Sequence, residues 1–375
     1  MSSEYLILQR QCAHYRVPLF QRLFTQQGWQ LVCARNFLQN SGGKTADIQP
    51  FMRPLTYIFP RKQDAYLCHP PIFKILRQQP RVLVAEAGTK MTSTYLLALF
   101  GRLWPWRKTR VVFWGHGAPV AFAQKAWKRK LVAMIKRMLI QSADGYLCYT
   151  QADKTYLQNI GITKPIFVAN NTIDIEPMLA RRDLAKHKEN KAPHLLAIGR
   201  QVPDKNFDML IRVFQAFKQD FPQAQLTLIG SGPVHEDLKA LAGTDVGQSI
   251  HMPGAIYDED ELATFFNQAD VYLTCGAIGL GVNHAIAYGV PVVCYAQTES
   301  GPYHHPEICY VEDGVTGWQV TPFTTEAMQA KLKALFSTSH SPRAQLADTL
   351  PDYAAQHLAI DNMVQAFTHI REELT

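Results

Sequence analysis

ADVYLTCGAIGLGVNHAIAYGVP, residues 269–291, is a strand, a turn and a helix written in order. The apolar run Val271 to Thr274 comes first. A glycine-dense turn with Gly276, Gly279 and Gly281 follows, then a helical pattern over Leu280 to Tyr288. Gly289 and Pro291 stop that helix. The glycines let the backbone turn tightly and let a ligand come close. The first turn of the helix offers free N–H groups and a positive dipole end, which suit an anion, most often a phosphate. Taken alone, the pattern fits an ordinary βα connection equally well, because a glycine-rich βα turn is a weak motif.

The flanking sequence repeats the scheme. Upstream, Tyr5–Leu8, Leu31–Ala34, Val82–Ala85, Val111–Trp114, Gly145–Tyr149 and Ile166–Ala169 read as buried strands. Val17–Gln26, Thr94–Leu103, Phe122–Ile140 and Thr150–Ile160 read as helices between them. Nearer the quoted stretch, strands are expected at His194–Ile198, Gln225–Ile229, Ile250–Met252, Val271–Thr274 and Pro291–Cys294. Helices are expected near Phe207–Phe217, Val234–Leu241 and Asp260–Asn267. Near-continuous apolar strands alternating with helices imply α/β architecture with parallel, doubly wound sheets. Arg181 to Lys191 is charged and weakly apolar, a linker pattern. Domains are therefore expected at 1–175 and 190–350. Residues 351–375 form a long amphipathic helix, expected to pack back on the first domain. Two such sheets facing each other leave a cleft at the carboxyl ends of their strands.

Composition agrees with two globular domains. The chain has 375 residues and 47% hydrophobic content. It has no apolar run long enough to span a bilayer, and Arg10, Arg16 and Arg22 interrupt any signal-peptide core. The 7 cysteines are scattered and never spaced as C-x-x-C, which argues for a reducing cytoplasm and against structural zinc. Charge is unevenly placed. Residues 1–173 hold 24 Lys+Arg against 6 Asp+Glu and the remainder 14 against 25, so balances of +18 and −11 make up the net +7. The basic half favours anionic lipid or a phosphate-bearing acceptor. Nucleic acid is not expected, since no recognised binding module is visible.

The strand ending at Ile198 leads into Gly199-Arg200-Gln201-Val202-Pro203-Asp204-Lys205-Asn206 and then a helix. Arg200 and Lys205 thus fall at the ligand end of the sheet, facing the glycine turn after Thr274. Arginine grips phosphate with a fork of donors, and lysine adds a compact charge.

Here an ordered set of motifs accumulates. Gly199, Arg200 and Lys205 fit G-R-x-x-x-x-K, while Leu226, Gly230, Gly232 and Pro233 fit L-x-x-x-G-x-G-P. Ala269 and Asp270 precede the apolar strand. Gly279, Leu280, Ala285, Ala287, Gly289, Pro291 and Val292 fit G-L followed by A-x-A-x-G-x-P-V. Asn171-Thr172-Ile173-Asp174 is similar to N-G-x-D at a domain junction. From Asn171 to Val320, about two fifths of the chain, this set resembles the glycosyltransferase family 4 enzymes, retaining transferases of GT-B fold. The resemblance implies a nucleotide-diphosphate-sugar donor, a lipid-linked or saccharide acceptor, and a donor site at Gly199, Arg200, Lys205, Gly279, Leu280, Gly281, His284 and Glu307. It implies no cofactor and no metal. The family carries two glutamates eight apart across the turn, and here those positions are Gly276 and His284. Some polysaccharide-assembling members likewise carry G-L-x-x-x-H-A, so His284 is expected to contact a donor hydroxyl or phosphate. Gly301-Pro302-Tyr303-His304-His305-Pro306-Glu307 resembles the family loop ending in an acid. The pair His304 and His305 beside Glu307 suggests a metal only weakly, for want of a third ligand.

In the first domain Tyr15-Arg16-Val17-Pro18-Leu19-Phe20 resembles a Y-R-x-P-L-F opening, and Gly115-His116-Gly117 a W-G-H-G signature. His116 is expected to contact a sugar and to take part in catalysis with Arg200 and Lys205. Glu86 and Arg16 are the acceptor-side candidates. Trp104, Trp106, Trp127, Lys128 and Arg129 mix aromatic and basic groups, as suits peripheral docking on the inner face of the plasma membrane. The expectation is a retaining glycosyltransferase of surface polysaccharide or lipopolysaccharide assembly. Its alternatives are a non-catalytic glycan or nucleotide-sugar binding partner, and a GT-B-fold epimerase or hydrolase.

Overall fold

The computed structural model describes residues 4–34, 47–56, 78–87, 108–117, 136–183, 192–298 and 301–375, together with 75, 94 and 134. The chain divides into two compact units. The first comprises Met1–Asp174 and Ile360–Thr375, the second Ile175–Ala359.

In the first unit seven strands form one sheet: β1 (Tyr5–Leu8), β2 (Trp29–Ala34), β3 (Met52–Leu55), β4 (Val82–Glu86), β5 (Arg110–Trp114), β6 (Gly145–Cys148) and β7 (Ile166–Val168). Their order is β3-β2-β1-β4-β5-β6-β7, and every pairing is parallel. The direction of winding reverses between β1 and β4. Strands β1 and β6 are buried along their whole length, which is why they read as unbroken apolar runs. Helix α1 (Val17–Gln27) buries Leu19, Phe20 and Leu23 and ends at Gly28, whose φ is +74°. Helix α2 (Gln151–Asn159) is capped by Thr150, which accepts the N–H of Asp153 at 2.9 Å.

Among the described residues of the second unit, six strands form one sheet: β8 (His194–Ile198), β9 (Gln225–Ile229), β10 (Ile250–Gly254), β11 (Val271–Thr274), β12 (Val292–Tyr295) and β13 (Gly317–Val320). Their order is β10-β9-β8-β11-β12-β13, again wholly parallel, with the reversal between β8 and β11. The helices are α3 (Glu176–Arg181), α4 (Phe207–Asp220), α5 (His235–Ala242), α6 (Glu259–Gln268), α7 (Gly281–Ala287), α8 (Thr325–Phe336), α9 (Pro342–Leu346) and α10 (Leu350–Tyr353). Two doubly wound parallel sheets are the architecture expected from the sequence. Strands β3 and β13, both at sheet edges, were not anticipated.

The stretch 351–375 is not one helix. It breaks at a π-turn over Ala354–Leu358, and α11 (Ile360–Leu374) belongs to the first unit. Phe367 meets Trp29 edge-on at 5.2 Å and Trp114 at 5.5 Å, and the Arg371 guanidinium lies 4.4 Å over the Tyr5 ring. Met363, Phe367 and Ile370 join the same core as Tyr5, Phe20 and Trp29.

Candidate functional site

In a doubly wound sheet, ligands sit beyond the carboxyl ends of the two strands where the winding reverses. In the second unit these are β8 and β11. A cavity of about 170 Å³ lies there, lined by Gly199, Arg200 and Lys205 after β8 and by Gly279, Leu280 and Gly281 after β11. The structure therefore brings together the two expected cations and the expected glycine turn.

Backbone contacts knit the two loops. The Ala277 N–H donates to the Asp204 carbonyl at 2.9 Å, and the Lys205 ammonium donates to the Ala277 carbonyl. A Cβ on Gly276 would lie 2.3 Å from the carbonyl carbon of Lys205, so no side chain fits there. The 204–205 turn occupies the space that an acid at this position would need. A Cβ on Gly281 would lie 2.2 Å from the Tyr272 hydroxyl, which donates to the Ile198 carbonyl at 3.0 Å. Asn206 takes a left-handed φ of +46° between the Lys205 turn and α4, a conformation asparagine tolerates better than most residues.

Burial lowers the Lys205 pKa, and the nearby Arg200 charge lowers it further, while Asp204 and Glu307 oppose the shift. Glu307 itself is 2% exposed, in the short turn Pro306–Tyr310, and does not line the cavity. Arg200 is exposed at the cavity mouth.

His284 does not line the cavity. Its ring stacks on Phe266 at 5.8 Å and 10°, and its Nε2 lies 3.5 Å from a Glu259 carboxylate oxygen. The cavity wall is supplied by Gly279 to Val282, and four residues into α7 the side chain has turned toward α6.

From sequence, His304 suggests a weak metal ligand and nothing more. Both its ring nitrogens are engaged by backbone: Nδ1 accepts the Ile278 N–H at 3.2 Å, and Nε2 lies 2.9 Å from the Tyr295 carbonyl. Among the described residues no group of three His, Cys, Asp or Glu side chains could hold a metal ion.

In the first unit the winding reverses at β1 and β4, and that end is occupied by an ion pair. The backbone N–H of Arg10 donates to Glu86 Oε2 at 2.9 Å and its Nε to Oε1 at 2.6 Å. The carboxylate read as an acceptor contact is thus held by an arginine the sequence reading passed over. Arg10 lies just past β1 and Glu86 ends β4, so strand order alone would have paired them. Arg16 is 8% exposed. Its guanidinium donates to Asn171 Oδ1 and to Met363 Sδ, and lies 5.6 Å over the Trp114 ring. It ties α1 to the 171–174 segment and α11, not to solvent. His116 is exposed after β5, with its ring 5.1 Å from Tyr149. Desolvation lowers its pKa, aided by Lys136 and opposed by Asp153. Its loop is pinned by Tyr146 Oη, which donates to the His116 carbonyl at 2.9 Å, and by Lys136 Nζ at the same carbonyl. Trp104, Trp106, Trp127, Lys128 and Arg129 lie outside the described residues. No helix among the described residues is long and apolar enough to cross a membrane.

Comparison with known proteins agrees with this geometry. Residues 181–350 match the family of glycosyl transferases group 1. An uncharacterized glycosyltransferase of Haemophilus influenzae is 29% identical over 167 residues, 43% of this chain and 44% of that protein. A GDP-mannose-dependent alpha-(1-6)-phosphatidylinositol monomannoside mannosyltransferase of Mycolicibacterium smegmatis is 31% identical over 181 residues, 45% and 44% of the two chains. The chain thus spans less than half the length of these relatives. The crystal structure of Anabaena HepE in complex with UDP superposes with a TM-score of 0.68 at 14% identity, covering 98% of this chain and 99% of that one. That likeness shows the fold, GT-B, and the motif-based resemblance to glycosyltransferases is borne out.

Proposed function

We propose that this chain, whose residues 181–350 match the family of glycosyl transferases group 1, is a retaining glycosyltransferase that moves a sugar from a nucleotide diphosphate to a lipid-linked or saccharide acceptor. The observation that carries the reading is the convergence of Arg200 and Lys205 on one cavity at the β8/β11 reversal. Two cations beside a glycine turn suit a diphosphate better than any neutral ligand.

The step needs no protein nucleophile. The bond between the anomeric carbon and the diphosphate oxygen breaks, the acceptor oxygen bonds that carbon on the same face, and the acceptor proton passes to the departing diphosphate. Catalysis rests on stabilising the negative charge that grows on the leaving group. Arg200 and Lys205 supply the positive charge that balances it, and Gly279 leaves room for the phosphates. His116, exposed after β5, is the first unit's candidate for a sugar contact. Glu86 pairs with Arg10, and Arg16 with Asn171 and Met363.

The Mycolicibacterium relative is named for GDP-mannose and the Anabaena structure holds UDP, so both bases enter the test. The basic first half supports docking on an anionic membrane surface, and the G-L-x-x-x-H-A stretch supports a role in surface polysaccharide assembly. The test is turnover of UDP-, GDP- and ADP-sugars with lipid-linked and oligosaccharide acceptors. Transfer with retained anomeric configuration supports the reading. Donor binding without transfer or hydrolysis would favour a glycan or nucleotide-sugar binding partner.

A further inference from the structure

One peptide unit of the glycine turn is gripped at both ends. Its carbonyl, Ala277 O, accepts from Lys205 Nζ, and its N–H, on Ile278, donates to Nδ1 of His304 at 3.2 Å. The imidazole is fixed on its far side by Tyr295 O, 2.9 Å from Nε2. A carbonyl only accepts and a backbone N–H only donates, so Nε2 carries the hydrogen and Nδ1 is bare. These partners admit a single ring state: the neutral Nε2–H tautomer.

We infer that His304 is a positioning residue for the donor site, orienting the Ala277–Ile278 peptide and through it the Lys205 ammonium. The inference rests on the diphosphate reading above and adds a determinant of it from outside the cavity lining. The imidazole bridges the end of β12 and the turn after β11, just beyond the last paired residues of those strands, Cys294 and Thr274. Without it the Ile278 N–H loses its partner, the peptide is free to rotate, and Ala277 O no longer holds Lys205 in place. Burial, the Lys205 charge and the neighbouring His305 all resist protonation of the ring, and only its bond to Tyr295 O favours it. The clamp is therefore permanent at neutral pH.

Displacing Lys205 costs most where charge develops, so kcat should suffer more than KM. The test compares H304L, H304N and H304Q with wild type and K205A. Asparagine places an acceptor near the former Nδ1, whereas glutamine reaches toward the former Nε2 and leaves the Ile278 N–H unmet. H304L and H304Q are expected to lose about 10- to 100-fold in kcat, the scale of a misplaced catalytic group, with H304N recovering most of it. Nucleoside diphosphate affinity, titrated with UDP, GDP and ADP, should follow the same order. Long-range imidazole 1H–15N correlation spectra of the wild type should show the Nε2–H tautomer at neutral pH. If K205A abolishes diphosphate binding while all three His304 variants bind and turn over alike, the inference is overturned and the diphosphate reading stands. If K205A binds diphosphate like wild type, the diphosphate reading itself fails. Should H304L not fold, the contrast between H304N and H304Q decides.

Discussion

Arg10 and Glu86 close the first unit at the point where its sheet reverses, through two donors on one carboxylate at 2.9 and 2.6 Å. The equivalent point in the second unit, between β8 and β11, carries a cavity and two cations instead. Six strands of the first sheet follow the order of the second, and the first adds β7 at its edge, but their reversal points differ. One end holds an ion pair and the other an open cavity.

E86Q and R10M should therefore destabilise the first unit and leave nucleoside diphosphate affinity within about two-fold. The pair is largely shielded, with side chains 28% and 15% exposed, and charge-assisted hydrogen bonds contribute about 1.5–3 kcal/mol. Urea unfolding of single and double variants checks this. A double-mutant coupling near zero would contradict it.

Arg343 is 0% exposed and donates to the carbonyls of Phe266, Asn267, Ala269 and Tyr288. It caps the ends of α6 and α7 together. R343M strands several buried acceptors and should cost about 3 kcal/mol, read as a lower urea midpoint. A midpoint unchanged from wild type would show that the four carbonyls find other partners.

The Lys205 pKa lies below 10.5 because of burial and Arg200. The charged form binds the diphosphate, so affinity should fall as pH rises, with a midpoint below that of an ordinary lysine. K205R keeps its charge across this range and should flatten the profile. Calorimetric titrations between about pH 7 and pH 10 decide. Parallel profiles for the two proteins would remove Lys205 from the site.

His304 is held neutral, its pKa lowered to about 4 chiefly by burial, with the Lys205 and His305 charges adding to the effect and the Tyr295 bond opposing it. Above pH 6.5, the ordinary value, folded and unfolded states are both neutral at this ring and nothing is lost. Below it the unfolded chain takes a proton that the folded chain refuses until about pH 4. Stability therefore falls on acidification through that window, by about 1.4 kcal/mol per pH unit at most. H304N lacks the titrating ring. The stability gap between wild type and H304N should narrow from about pH 7 to about pH 4.5. A constant gap would mean the ring protonates in the folded state.

Much of this was legible beforehand. The β8, β9 and β11 boundaries coincide with apolar runs because buried parallel strands have no polar face to blur them. Strand β3, Met-Arg-Pro-Leu, hid behind Arg53 and Pro54, which an edge strand tolerates. Strand β13 is four residues, starts on a glycine and carries Gln319. Arg200 and Lys205 were legible because both lie in the loop between β8 and α4. The roles of Gly276, Glu86 and His304 were not. Each depends on a partner far along the chain — Lys205, Arg10 and Ile278 — and spacing cannot reveal a contact that only the fold creates. The phase of His284 was missed for a smaller reason, a turn of α7 that faces Phe266 instead of the cavity.

The central claim is that Arg200 and Lys205 hold a diphosphate, and titrating wild type and R200A/K205A with UDP, GDP and ADP tests it directly. At about 1.5–3 kcal/mol per charge-assisted contact, the account predicts that at least one nucleotide binds wild type and that the double variant, still folded, weakens it by about 10²–10⁴-fold. Binding of equal strength in the two proteins, or none in the wild type, would contradict it.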